Sequence, residues 1–522
     1  MAIELIKKLM DVNEATQKET SQIVKERDLI VPDGKPDMQR VLFLDGNLKM
    51  DSFDVQQNRI IYKGEVDVTI LYLPEHGNGI CKMKGSVPIE DFMIFEGVDS
   101  EQRVEFIYDI EHLNWNILNE RKLNIKVVIE VGAIVTKTKE IYLVEDLNTD
   151  IPIEKKMKEL NIISMSPEKE EKIIVKDELT IPSNQPSIGD ILKLSTSIKE
   201  DQIKRTADEL IFNGMVEVAI LYQSIEDNNI SVYTNKIPFS GAVDLIKLDD
   251  EKHWDCTLDV APTLVQVNPD YDGEDRIVDI ECIVTAKYTT YNNEQLEIVD
   301  DVYSPGKFVG ENSKMEKYVN LAFKDSISSV TKETLNIDGL NPDIHQIYNI
   351  ELKSKVDEVE VNDDKLTIEG IIEVLVIYTD EEGPSKIITF MDSLPFNLEL
   401  NTNLPENEDY IIDAKVNPKD VQLVSINRES LSIDYKLEYN LSIYETKQIS
   451  VIDEIEIEDM TKETLNEYPS IIVYTVKNGE TLWDMAKKFN TTVRNIAQVN
   501  EFDESYLPHS GEKVIIIKQS KF

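Results

Sequence analysis

Hydrophobic and polar residues alternate with a period of two through much of the chain, and one such run returns three times. GEVDVTILY at 64–72 recurs as GMVEVAILY at 214–222 and as GIIEVLVIY at 370–378, spacings of 150 and 156 residues. Val66, Val68, Ile70 and Tyr72 fall on one face, with Glu65, Asp67 and Thr69 on the other. The matching faces of the later copies carry Val216, Val218, Ile220 and Tyr222, then Ile372, Val374, Val376 and Tyr378. Alternation with β-branched residues predicts strands. The residues that follow, PEHGNG, EDNN and DEEG, predict hairpin tips.

Other landmarks keep the same offsets. Pro36, Pro186 and Pro342 each precede apolar residues at +2 and +5, namely Met38 and Val41, Ile188 and Ile191, Ile344 and Ile347. That spacing predicts a short helical turn opened by proline. A second set, Pro88, Pro238 and Pro395, predicts segments at a sheet edge. Each unit then has a late strand (LNIKVVIEVGAIV, RIVDIECIVTAKY, SLSIDYKLEYNLSIY) and an acidic tail (LVEDL, IVDDV, VIDEI). Units of about 150 residues are domain-sized, not solenoid repeats. Many short strands between turns predict sandwiches or partly open barrels. EKKMKELNII at 154–163 and SKMEKYVNLAF at 313–323 are expected as helical connectors, and the acidic run 453–469 as a linker.

The last segment has a different pattern. Ile471, Val473 and Thr475 alternate, and Asn478-Gly479 makes a turn. Thr481 caps a helix with Leu482, Met485, Ala486 and Phe489 on one face. Thr491 or Thr492 caps a second helix with Val493, Ile496 and Val499 inward, Asn500 stops it, and 513–517 form a return strand. The fold class is therefore mainly β and multidomain: three tandem β-sandwich-like repeats and a small βααβ domain. The boundaries read as 1–160, 165–310 and 311–455 for the repeats, 456–470 for the linker and 471–518 for the last domain. Tyr474-x-Val476, Gly479-Glu480-Thr481-Leu482, Ala486, Phe489, Thr492, Ile496, Asn500, Leu507, Gly511 and Val514 resemble the LysM family at many fixed spacings, with Glu480 where the family more often has Asp. The resemblance implies a shallow groove for N-acetylglucosamine-containing polymers, with Gly479, Glu480, Thr481, Leu482 and Trp483 on one side and Asn500, Tyr506, Leu507 and Pro508 on the other. From the residues alone, Leu482 reads first as core and Gly479 as a turn glycine. Trp483 lies off the apolar face, free for a contact role.

Composition narrows the partners. The 522 residues carry 100 acidic against 55 basic side chains, a formal net charge of −45. A field of that sign disfavours nucleic acid and anionic lipid. Cys81, Cys256 and Cys282 form no CxxC pair, which points to a reducing compartment. Met1–Gln17 lacks the apolar core of a signal peptide, and no run approaches the ~18–20 apolar residues of a membrane span. Together these lead to the expectation of a cytoplasmic chain. No GxxxxGK[ST], GxSxG or HExxH motif occurs. The histidines at 76, 112, 253, 345 and 509 have no ligand spacing and read mostly as turn or loop residues. Asp270–Glu274 with Glu281 has its glycine misplaced for a calcium loop and reads as a hairpin turn. The recurring Asp67, Glu217 and Glu373 read as a solvated strand face. No catalytic residue, metal site or cofactor is expected, and the chain reads as a non-enzyme.

The combination of GxVxVxILY-type repeats with a C-terminal LysM resembles clostridial spore coat morphogenetic proteins of the SipL type, counterparts of SpoVID; the repeat is similar to the SPOCS domain. The resemblance implies a mother-cell protein at the forespore surface that recruits a coat partner, a SpoIVA-like ATPase, through its LysM domain. The alternative is an exported peptidoglycan- or chitin-binding wall protein; a LysM-targeted hydrolase is a weaker third reading, since no nucleophile or acid pair is visible.

Overall fold

In the computed structural model, the residues described are 3–76, 79–100, 102–165, 169–206, 208–244, 253–336, 344–362, 365–380, 387–405, 410–426, 430–461 and 470–517. Each repeat packs a three-stranded motif-bearing sheet against a second sheet. In the first, β2 (Met38–Gln56), β3 (Arg59–Pro74) and β4 (Cys81–Ile94) form one sheet in the order β2-β3-β4. The facing one is built from β1 (Glu4–Ile30), β5 (Arg103–Asn119) and β6 (Lys122–Asn148), with β6 paired to both. The second repeat follows the plan with β7 (Glu154–Met165), β8 (Lys169–Thr180), β9 (Ile188–Arg205), β10 (Glu209–Ser224), β11 (Ile230–Asp244), β12 (His253–Pro269) and β13 (Asp275–Tyr303). The third uses β14 (Lys307–Asn336), β15 (Ile344–Asn362), β16 (Lys365–Asp380), β17 (Ile387–Asn401), β18 (Tyr410–Ile426) and β19 (Ser430–Asp459). The second sheets of the first and third repeats join through β1 and β14 into one six-stranded sheet, and that of the second repeat has four strands.

The recurring motif is the middle strand, β3, β10 or β16, and its inward residues are almost fully buried. Its glycine has a steric reason. A bulge in the partner strand lies opposite Gly64 and Gly370, and a Cβ there would sit 2.3 Å from the Lys49 carbonyl or 2.1 Å from the Lys355 carbonyl. Its tyrosine has a polar reason. The Tyr72 hydroxyl donates to the Pro36 carbonyl (3.0 Å) and the Tyr222 hydroxyl to the Pro186 carbonyl (2.9 Å). The expected proline-opened helical turns are not formed. Pro36 and Pro186 lead into strands whose bulges bring the +2 and +5 residues to one face, while Pro342 lies outside the described residues. Arg121 and Arg276 clamp the same two loops through their carbonyls. Pro88, Pro238 and Pro395 lie in β4, β11 and β17, each an edge strand of its sheet.

The connectors at 154–163 and 313–323 are strands, not helices. Strands of 27 to 30 residues are far longer than one sandwich needs. Their far ends leave their own repeats and pack together. Met10, Val12, Ile141 and Leu143 of the first repeat meet Leu160, Ile162, Leu296 and Ile298 of the second and Tyr318 and Ile449 of the third in one buried cluster. Another cluster joins the motif-bearing sheets: Leu42, Leu192 and Tyr348, then Leu71, Leu221 and Ile377. Both sets stand at the 150 and 156 spacings, so equivalent positions converge, as in a threefold assembly folded from one chain. The acidic tails complete a third cluster through Val144, Leu147, Val299, Val302, Ile452, Ile455 and Ile457. The segment expected as a linker from 456 is therefore strand up to Asp459, paired with Lys307, and its residues 462–469 lie outside the described residues.

Polar groups fix the register of these junctions. Lys193, whose side chain is 8% exposed, pairs with Asp45 of the first repeat (3.1 Å) and Glu351 of the third (3.0 Å) and lies over the Phe43 ring. Ser195 donates to Glu351, and Asn320 accepts from the Ile163 amide at 2.9 Å. Removing Lys193 would strand two carboxylates that retain some solvent. Lys193→Ala should therefore lower stability by roughly 2–3 kcal/mol, less than for a fully buried pair. An unchanged urea midpoint for the full chain would show the triad to be incidental.

Candidate functional site

The last domain is βααβ as its pattern predicts: β20 (Ile471–Thr475), α1 (Leu482–Lys488), α2 (Val493–Asn500) and β21 (Lys513–Ile517). Thr481 caps α1 in a capping box with Asp484, and Thr492, rather than Thr491, caps α2. Leu482, Met485, Ala486, Ile496, Val514 and Ile516 make the core.

Two four-residue turns shape the groove, Lys477–Glu480 and His509–Glu512. Each ends Gly-Glu, with its glycine at positive φ (Gly479 +79°, Gly511 +89°). Glu480 accepts from the Lys477 amide (2.8 Å) and the Tyr474 hydroxyl (2.9 Å). Glu512 likewise accepts from the His509 amide (2.8 Å) and the Tyr506 hydroxyl. Burial pushes the Glu480 carboxyl up, but the Lys477 amide, the Tyr474 hydroxyl and Lys488 outweigh it and hold it below its ordinary value. Glu512 was not among the expected residues; the repeated x-x-Gly-Glu pattern was its signal. The Val476 amide donates to the Glu512 carbonyl and the Gly511 amide to the Val476 carbonyl, which seats the two turns side by side.

The expected groove residues therefore divide. Leu482 is core at 2% exposure, Thr481 is a cap, and Glu480 is a turn brace. Asn500 is a brace too: its amide donates to the Ile496 and Ile515 carbonyls and its oxygen accepts from the Ile515 amide, tying β21 to α2. Tyr506 stacks on Phe502 with ring centroids 4.4 Å apart. Gly479 and Leu507 remain exposed and Pro508 half-buried.

Trp483 is not free. Its indole Nε1 donates to Asp301 Oδ2 (2.7 Å), and its ring meets Tyr303 edge-on at 4.8 Å, both residues belonging to β13 of the second repeat. Lys487 pairs with the other Asp301 oxygen at 2.5 Å, and Asn490 accepts from the Gly306 amide at 2.8 Å. Burial raises the Asp301 carboxyl, but its bonds from Lys487 and Trp483 prevail and leave it lowered. Sequence periodicity could not find Asp301 and Tyr303, which lie some 180 positions upstream. On the opposite side, the outer face of the β20–β21 sheet shows Ile471, Val473, Ile515 and Ile517 to solvent, in the direct pairs Ile471–Ile517 and Val473–Ile515.

The remaining candidates are structural. Asp67 pairs with Lys49, and Glu281 with Lys176. Asp270–Glu274 closes a hairpin turn, and Glu274 holds Arg276. His112, His253 and His345 lie on strands, contrary to the loop expectation. Asp37, Glu75 and Glu120 draw together near Arg121, which binds Asp37 at 2.5 Å. The three cysteines are free thiols. No helix among the described residues is long and apolar enough to cross a membrane.

A core this small has little stability to spare. Leu482→Asp should abolish amide protection in α1 and α2 while leaving the repeats protected; retained protection would contradict the core placement. Asn500→Ala should release β21 at a cost of about 1–3 kcal/mol, seen as faster exchange at Ile515.

Comparison with known families agrees with this division. The SipL, SPOCS domain family matches residues 37–118, 187–269 and 343–427, and the LysM domain family matches 474–516. Each SPOCS match runs from the motif-bearing sheet through the edge strand β5, β12 or β18 and leaves out the long arms. No curated protein and no solved structure matches the chain. With three SPOCS domains and a terminal LysM domain, the chain belongs to the SipL type.

Proposed function

We propose that this sporulation coat-associated chain recruits a coat protein, a SpoIVA-like ATPase, through its LysM domain, at the forespore surface in the mother cell. SPOCS and LysM domains are non-catalytic binding domains, and a LysM domain by itself suggests a glycan ligand. The observation that favours a protein is the surface this LysM presents. Ile471, Val473, Leu507, Ile515 and Ile517 are exposed, while Trp483 and Tyr506 are already engaged with side chains of the chain itself. Exposed aliphatic side chains on a near-neutral module, with seven basic and six acidic residues from 470 on, suit the desolvated centre of a protein interface. A sugar needs hydrogen-bonding groups and free aromatic faces. The strongly acidic three-repeat body then serves as a rigid mount that keeps the module in solution and away from other anions.

Val473→Glu and Ile515→Glu, each made singly on the outer sheet face, should lower retention of the ATPase by the full-length chain about tenfold or more with the LysM fold intact by amide exchange. Parallel arms with chitin and peptidoglycan decide the alternative. Glycan retention with no ATPase retained would overturn the protein-recruitment reading in favour of a wall-binding role.

A further inference from the structure

The contact between the LysM domain and β13 carries a consequence for recognition. The Trp483–Lys487 side of α1 lies beside the turn that contributes Gly479 to the groove, and a single carboxylate, Asp301, satisfies both its indole N–H and its ammonium. Tyr303 completes the contact: it is 5% exposed and counted among the LysM core residues rather than those of its own repeat. The equivalent tail positions of the other repeats are Asp146 and Asn148, and Glu454 and Glu456. Neither pair has the aromatic ring, and Asp146 is taken by Lys155. The second repeat alone presents an acidic side chain and an aromatic ring two residues apart at this place.

The contact is also built to open. The Asn490 amide nitrogen is buried with no hydrogen-bond partner among the described residues. Glu154 of β7 is disfavoured in its charged form by burial and by Glu504 of the LysM domain, and Glu311 by burial and by Asp301. Desolvated carboxylates and an unpaired amide offset much of what the Trp483 contact contributes. The tether keeps the domain near even when it is released. β19 ends at Asp459, paired with Lys307 and next to Gly306, and only residues 460–470 separate it from β20. So short a tether gives an effective concentration on the order of millimolar, enough to close a weak contact most of the time.

We infer that the Trp483–Lys487 face is a gated protein-recognition surface, held shut by Asp301 and Tyr303, and that its external ligand is a protein segment presenting an acidic side chain beside an aromatic one. The inference rests on the protein-recruitment reading above and adds a second surface to it, with its own control. The ligand replaces Asp301 at the indole and the ammonium, and Tyr303 at the ring. Its apparent affinity is reduced by the fraction of chains that are closed.

The test uses the full-length chain and a labelled peptide of residues 296–310, which carries the occupant's own chemistry. Wild type should bind it weakly. Asp301→Ala combined with Tyr303→Leu, which removes the shared carboxylate and the aromatic ring, should bind it about tenfold more tightly, and adding Trp483→Ala should abolish the gain. In the wild type, a zero-length carbodiimide cross-link should join Lys487 to Asp301, and its yield should fall with Trp483→Ala. If the combined variant does not fold, Asp301→Ala alone carries the test. Equal peptide affinity in wild type and latch variant, or a gain that survives Trp483→Ala, would overturn the inference, as would absence of the cross-link. Retention of the ATPase separates the two readings. Peptide gating without any ATPase retention leaves the latch standing and removes that partner; equal ATPase retention by wild type and latch variant removes the gate from recruitment.

Discussion

The architecture depends on strands too long for the domains they belong to. A strand of 27 residues, at about 3.3 Å per residue, overshoots any single sandwich, and an antiparallel ribbon left in solvent is not stable on its own. The overhanging arms β1–β6, β7–β13 and β14–β19 therefore bury their apolar faces against one another. Each arm serves two cores, one private and one common. Three β-sandwiches that could have been beads on a string become one body with near-threefold symmetry, and its polar register devices are asymmetric. At the axis, the equivalent positions hold Phe43, Lys193 and Asn349, then Asp45, Ser195 and Glu351, so one cation meets two anions and an aromatic face.

That body was partly legible in the residues. The triplicated motif identified the middle strand, its inward face and its hairpins, because period-two alternation at fixed offsets has no competing explanation. Pro36 and Tyr72 were visible as recurring landmarks, but the hydrogen bond that links them was not, because it joins side chain to backbone across 36 positions. The connectors at 154–163 and 313–323 depart from the expected helices for a physical reason. Met157 with Leu160, and Met315 with Tyr318 and Val319, stand at helical spacings. In the structure Met157 and Met315 are exposed, while Leu160, Ile162 and Tyr318 are buried against the other repeats. Tertiary burial overrode local pattern, and the partner surfaces lie in other repeats.

The LysM domain was read closely because its fold is local: caps, turn glycines and apolar periodicity all act within some 45 residues. What the pattern could not separate was brace from contact. Thr481, Glu480 and Asn500 occupy groove positions, yet their polar atoms are used within the module. Trp483 looked free because an isolated helix shows only its own apolar stripe. Its partners, Asp301 and Tyr303, come from the end of β13, in the same acidic tails that complete the common core. Assembly of the body and posture of the LysM domain are thus coupled: β13 pairs within its own repeat, packs in the common core and holds the LysM domain.

Native-state hydrogen exchange on the full-length chain tests that coupling most directly. Amides of Leu143, Ile298 and Ile449, one from each repeat, should exchange with a common free energy of opening and fall together when Lys193 is replaced, because one shared core protects all three. Three unrelated opening free energies, with Lys193→Ala affecting the second repeat alone, would contradict the account and return the chain to independent domains on a string.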